Sequence, residues 1–189
     1  LPLNNLEESL RILKSVKKDL AGVLVEPVLG GGGAIPATKE YLQGVQEMVK
    51  TNNSLFMLDE IVTGFRFRYG CIYPTMKLDP DIVTLGKIVG GGFPIGVICG
   101  KDEIMEHANT SVNSKKSRTY IGGGTFSANP LSMIAGDTTL GILKNKKITL
   151  YKKLDRLGNE TTKMLKKIFS GEVIITGKGS LFMTHFPRN

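Results

Sequence analysis

Leu55-Phe56-Met57-Leu58-Asp59-Glu60 opens a stretch that runs through Thr63-Gly64-Phe65-Arg66 and Pro80-Asp81-Ile82-Val83-Thr84-Leu85 to Gly86-Lys87-Ile88-Val89-Gly90-Gly91-Gly92-Phe93-Pro94-Ile95-Gly96. It reads as two short apolar strands, each delivering a charged residue at or just past its end, Asp59 and Lys87. In an open α/β sheet, ligands bind outside the carboxyl ends of the strands, so both side chains are expected at one crevice. An acid and an amine brought there by glycine-rich turns suit a carbonyl compound held as a Schiff base, with the acid on its ring nitrogen.

Upstream, Ala21 to Val25 is a further apolar strand, and the loop from Glu26 to Ala37 carries the run Gly30-Gly31-Gly32-Gly33. Thr38 then caps a helix to about Asn52, with Tyr41, Leu42, Val45, Met48 and Val49 on its inner face. Strand, helix and strand at this spacing make a βαβ crossover and hence a parallel sheet. Leu3 to Leu20 reads as an amphipathic helix that Asn4 or Asn5 is placed to cap. Downstream, Gly96 to Cys99 is expected as a strand, Lys101 to Ala108 as a short helix and Asn109 to Arg118 as a mobile loop. Two helices follow, near Leu131 to Leu143 and Leu150 to Phe169, and then strands at Val173 to Thr176 and Leu181 to Phe186. The polar run Leu143 to Thr149 between those helices is the expected boundary. It leaves residues 1–146 as an α/β unit and 147–189 as the start of a smaller α+β unit.

Composition narrows the function classes. Of 189 residues, 41% are hydrophobic and 22% charged, ordinary for a globular chain able to bury a core. No apolar run approaches the ~20 residues that cross a bilayer, and no leader pattern opens the chain, so no membrane partner is expected. The two cysteines, Cys71 and Cys99, form no CxxC and lie near no histidine, which argues against a disulfide framework or a zinc site and for a reducing cytoplasm. The net charge of +8 raises nucleic acid as a partner, but the lysines are scattered over polar helix faces without interleaved aromatics. A solvated basic surface is the expectation, with no nucleic acid bound.

Competing motifs fail on spacing. An apolar run ending in Asp-Glu also suits the metal-binding strand of a P-loop NTPase, yet no stretch matches G-x-x-x-x-G-K-[ST]. None of the glycine runs fits G-x-G-x-x-G. His107 and His185 stand apart in sequence and suggest neither a triad nor a metal cluster. Lys87 differs from a lone surface lysine because it follows an apolar strand and precedes three glycines, which permit close backbone packing against a flat ligand.

Four motifs now stand in one order: Glu26-Pro27-Val28, Asp59 to Arg66, Thr84-Leu85-Gly86-Lys87 and Gly124-Thr125-Phe126-Ser127-Ala128-Asn129-Pro130. In order and spacing they resemble the class III, pyridoxal-phosphate-dependent aminotransferases. The resemblance implies an α/β fold, part of the large domain of a fold-type I enzyme with a mostly parallel sheet flanked by helices, followed by the start of a small α+β C-terminal domain. It implies pyridoxal 5'-phosphate, cycling through its pyridoxamine form, a small amine or amino-aldehyde substrate, and a homodimer. Lys87 resembles the lysine that joins the cofactor and later moves the proton; it must be neutral to attack a carbonyl, which burial beside the cofactor would favour. Asp59 resembles the aspartate that keeps the pyridinium nitrogen protonated. Ile61 sits where the family places a branched residue on the ring face. Thr125 matches the threonine that reaches the cofactor phosphate of the neighbouring subunit. Glu26 resembles the strand-end glutamate near the site, though a loop-fixing hydrogen bond fits it equally. Arg66 is open between an ion pair and substrate contact, and Glu60 reads as structural.

Two departures carry weight. Members that use 2-oxoglutarate often carry a glutamate where this chain has Gly31, which favours the family's aminomutase branch. The phosphate cup and stacking aromatic of the family's N-terminal half are not found in these 189 residues, so the chain is expected to be the middle-to-late part of a longer enzyme.

Overall fold

Gly22–Val25 (β1) and Leu55–Asp59 (β4) pair in parallel, joined by a crossover through Lys39–Thr51 (α2). The computed structural model describes residues 1–109, 124, 126–170 and 172–186. Thr38 Oγ1 accepts from Tyr41 N and closes the first turn of α2. Ile82–Gly86 (β5) adds in parallel beside β4, in the register Met57↔Ile82 and Asp59↔Thr84. Gly96–Gly100 (β6) then adds antiparallel, giving the order β1-β4-β5-β6. The sheet is therefore mostly parallel with one reversed edge, because Lys87 to Ile95 turns straight back rather than crossing over.

Burial alternates along the strands. Val23, Phe56, Leu58, Val83 and Leu85 face α2 and the helix Leu6–Ser15 (α1), where they meet Leu13, Tyr41, Leu42, Val45 and Val49. On the opposite face Leu24 and Ile98 remain 53% and 45% exposed. The carboxyl end of β4, where Asp59 sits, thus projects from a rigid layer. At the other end, Asp81 Oδ2 accepts from Phe56 N at 2.8 Å, and Lys101 Nζ lies 2.8 Å from Asp81 Oδ1. Burial works to raise the Asp81 carboxyl, but the Lys101 ammonium and the Phe56 N–H hold it below the usual carboxylate range.

Several expectations need correction. α1 is shorter than the stretch Leu3 to Leu20; Asn5 caps it, and a 3-10 turn at Lys17–Asp19 completes the descent. The glycine loop contains a small antiparallel hairpin, Val28–Leu29 (β2) with Ile35–Pro36 (β3). Asp102–Met105 (α3) is a single turn extended by a 3-10 turn at Glu106–Ala108. The two helices expected after Asn129 are one, Pro130–Ile168 (α4), 39 residues long, capped by Asn129. Leu143 to Thr149 holds no Gly or Pro, so its polarity marks a solvated face rather than a break. The expected boundary at 146/147 thus falls inside a continuous helix. Ile174–Lys178 (β7) and Leu181–His185 (β8) form a closing hairpin. The loop expected from Asn109 to Arg118 lies, apart from Asn109, outside the described residues, as does Thr125.

Backbone approach seats α4. A β-carbon on Gly136 would lie 2.4 Å from Val89 O, and one on Gly158 would lie 2.2 Å from Gly179 O. The helix therefore touches the turn after β5 at one point and the β7–β8 hairpin at another. Ser132 Oγ donates to Pro94 O at 2.8 Å beside the first of these contacts.

Candidate active site

Asp59 ends β4, and its Oδ1 accepts the Ile61 N–H at 2.9 Å. This closes an Asx turn that fixes the carboxylate. Its second oxygen carries no hydrogen bond among the described residues. Glu26 follows the end of β1, and its Oε2 accepts from Gly30 N at 2.9 Å. Both carboxylates line one cavity of about 260 Å³, walled by Leu3, Leu24, Leu29 and Tyr41. Of the two readings left open for Glu26, the structure contains the loop-fixing bond, in a residue that also faces the crevice.

Lys87 begins the turn after β5, in left-handed backbone with φ 48°. A non-glycine residue held there costs about 1–3 kcal/mol and is maintained by its surroundings. Here β6 and α4 clamp the turn: Ile95 packs on Gly90 and Gly136 on Val89 O. The side chain of Lys87 is exposed and does not line the Glu26–Asp59 cavity. The expected burial of Lys87 is therefore not met within this chain; the turn presents it from the strand end into open space. Ile61 lies between the two strand ends, its Cγ2 3.2 Å from where a β-carbon on Gly86 would sit. Asp59, Ile61 and the Lys87 turn thus share the carboxyl edge of β4 and β5, and Glu26 joins them from β1. Thr125 has no described position.

Glu60 points the other way. It is fully buried, and its carboxyl accepts from Ile72 N, Tyr73 N and Thr63 Oγ1 at 2.8–3.2 Å. Burial pushes the carboxyl above its ordinary range, and the amides of Ile72 and Tyr73 oppose that rise. The same surroundings push the Cys71 thiol up to about 12, which leaves it an inert packing group. Arg66 lines a cavity of about 130 Å³ with Tyr151, Asp155 and Lys178, away from Asp59.

Sequence reasoning passed over Thr84. It pairs with Asp59 across β4 and β5 on the same face, and its Oγ1 is buried without a hydrogen-bond partner among the described residues. Such an unpartnered hydroxyl costs about 1–3 kcal/mol. The signal was a polar residue inside the apolar run before Lys87. Gly136 was also missed; an isolated glycine inside a long helical pattern marks close packing.

Comparison with known proteins agrees with this geometry. The class-III aminotransferase family matches residues 3–189. The chain is 36% identical over 188 residues to the glutamate-1-semialdehyde 2,1-aminomutase of Methanothermobacter thermautotrophicus, covering 98% of this chain and 43% of that protein. It is likewise 36% identical to the enzyme of that name from Sulfolobus acidocaldarius, covering 91% of this chain and 40% of that protein. Among solved structures it is similar to an omega-transaminase from Sphaerobacter thermophilus, with TM-score 0.86, 29% identity, and coverage of 100% of this chain and 42% of that one. It is also similar to a beta-phenylalanine aminotransferase from Variovorax paradoxus, with TM-score 0.82 and 27% identity over 100% of this chain and 43% of that one. The chain spans about two fifths of the length of these relatives. With its crevice at the carboxyl ends of a mostly parallel sheet and a family match over nearly every residue, the chain belongs to the class-III aminotransferases, enzymes of fold-type I.

Proposed function

We propose that the full-length protein is a cytoplasmic, homodimeric isomerase that converts glutamate-1-semialdehyde to 5-aminolevulinate, the step that feeds tetrapyrrole (porphyrin) biosynthesis, with pyridoxal 5'-phosphate as cofactor. The observation that carries the reading is that Asp59, Ile61 and the turn bearing Lys87 share the carboxyl edge of β4 and β5 in a chain 36% identical to enzymes of that name. Gly31, where 2-oxoglutarate users often have a glutamate, supports it.

The residues suit the cofactor. When bound, pyridoxal phosphate supplies an electron sink beside the carbon that bears the amine. Asp59, already oriented by the Ile61 N–H and with an oxygen to spare, would hold the proton on the ring nitrogen. Ile61 would cover a ring face. Lys87 Nζ would be the amine that holds the cofactor through its aldehyde carbon and would carry the proton to and from the substrate carbon. Glu26 shapes the crevice through Gly30. Thr125, by the family resemblance, would serve the cofactor phosphate of a neighbouring subunit. Residues 1–146 then belong to the large domain and 147–189 to the start of the small one, the division passing within α4. Exposed apolar side chains on α4, among them Leu131, Met133 and Ile134, offer surface for the second subunit.

A second reading, an aminotransferase or racemase acting on another amine, draws support from the likeness to the two transaminases. The deciding experiment is turnover of glutamate-1-semialdehyde by the full-length enzyme without any added 2-oxo acid. Steady production of 5-aminolevulinate supports the aminomutase, and an absolute need for a 2-oxo acid removes it. Lys87→Ala is expected to lower kcat by at least about 10³-fold; retained turnover overturns its role.

A further inference from the structure

Thr176 and His185 have no role in the proposed reaction, yet the fold brings them against Gly33, the last residue of the four-glycine run. Gly33 has φ 107°, open to glycine and strained for other residues. A β-carbon there would lie 3.2 Å from His185 Cε1. Thr176 Oγ1, on β7, hydrogen-bonds Gly33 O and lies 2.7 Å from His185 Nε2 on β8. Counting protons fixes the directions. A carbonyl only accepts, so the single Thr176 hydroxyl proton goes to Gly33 O, and His185 Nε2 must carry the hydrogen that Thr176 accepts. The relay is His185 Nε2–H to Thr176 Oγ1–H to the Gly33 carbonyl.

The loop is tied at its other end to the crevice. Gly30 N donates to Glu26 Oε2, and a β-carbon on Gly30 would meet Val62 Cγ2 at 2.9 Å, next to Ile61. Leu29 lines the cavity shared by Glu26 and Asp59. Four consecutive glycines have little conformational preference of their own, so these external ties decide where the loop stands.

We propose that Thr176 and His185 are positioning residues that, through Gly33, hold the glycine loop whose Leu29 walls the Glu26–Asp59 crevice and whose Gly30 N–H fixes Glu26, and so set how tightly the crevice takes its amine or amino-aldehyde substrate. This rests on the crevice being the active site. The hairpin that carries the pair lies more than a hundred residues from the loop it holds, Thr176 and Gly33 being separated by 143 in sequence.

The test uses the full-length protein loaded with pyridoxal phosphate. Thr176→Val and His185→Leu break the relay, whereas Thr176→Ser keeps the hydroxyl and His185→Gln keeps an N–H donor. The readouts are amide hydrogen exchange over residues 29–34 and the separate values of KM and kcat. In Thr176→Val and His185→Leu, exchange over the loop is expected to rise at least about tenfold. KM should rise about tenfold, the worth of one hydrogen bond, with kcat within about twofold. Thr176→Ser and His185→Gln should stay within about threefold of the wild type on every readout. Unchanged loop exchange, a loss confined to kcat, or equal damage in His185→Gln and His185→Leu overturns the proposal. A wild type that fails to turn over glutamate-1-semialdehyde removes the aminomutase reading, and the exchange comparison still decides the latch.

Discussion

Residues 1–100 and 126–186 solve the burial problem differently. In the first region Leu42, Val45, Val49, Phe56 and Leu58 are wholly enclosed between two helices and one sheet face. In the second, Ile134, Ile148, Met164 and Ile168 of α4 stand 62–67% exposed, and the buried residues of that helix are Ser132, Gly136 and Gly158. The first region builds its own core. The second is held by close backbone contacts and leaves its apolar side chains available to another surface, which supports the proposed dimer. An arrangement that fixes Asp59 within a dense layer, while leaving apolar side chains of α4 exposed, separates the scaffold of the crevice from the surface that the proposed dimer would use.

The comparison breaks most visibly on side-chain truncation. Phe56→Ala should cost about 3–5 kcal/mol in urea unfolding of this chain, whereas Ile134→Ala should stay within about 0.5 kcal/mol. Equal costs would mean that α4 is buried as deeply as β4. A smaller effect sharpens the contact rule. Gly136→Ala drives a methyl against Val89 O and should cost about 1–3 kcal/mol while displacing the Lys87 turn. Gly141→Ala meets nothing within 4 Å and should stabilise the helix by about 0.5–1 kcal/mol. If both glycines respond alike, α4 is not seated on the turn.

The smallest effect is in acid. Asp81 has a depressed carboxyl, so its contribution is present above the ordinary carboxylate range near pH ~4 and lost as pH falls through its lower folded value. Glu60, raised by burial, works in the opposite sense, favouring the folded chain at low pH and losing that as pH rises through its folded value. Asp81→Asn should therefore flatten the acid limb of a stability-versus-pH curve for the first region. An unchanged limb would mean that the Lys101 pairing is already screened by solvent.

Where apolar period and turn chemistry agree, the sequence was readable. Leu55 to Asp59, the Thr38 cap and the turn opening at Lys87 stand where the pattern places them, because each is a local choice. The continuity of α4 was hidden because Lys144-Asn145-Lys146-Lys147 is polar in a way that looks like a linker but still tolerates a helix. The exposure of Lys87 and the burial of Glu60, two charged residues in neighbouring motifs, depend on which neighbour's backbone arrives. No window of sequence contains that information. Thr176 and His185 were silent for the same reason: their partner is Gly33, far away in the chain.

The continuity of α4 also has a mechanical side. At 1.5 Å per residue the helix is a strut about 58 Å long, resting on the Lys87 turn at Gly136 and on the hairpin at Gly158. Such a strut transmits angle rather than distance. A tilt of one degree about its seat at Gly136 swings the Ile168 end by about 1 Å, while the turn at the fulcrum hardly translates. The hairpin bearing Thr176 and His185 rides on the long arm of this lever. A small rotation at the Lys87 turn would thereby be magnified at the hairpin that fastens the glycine loop.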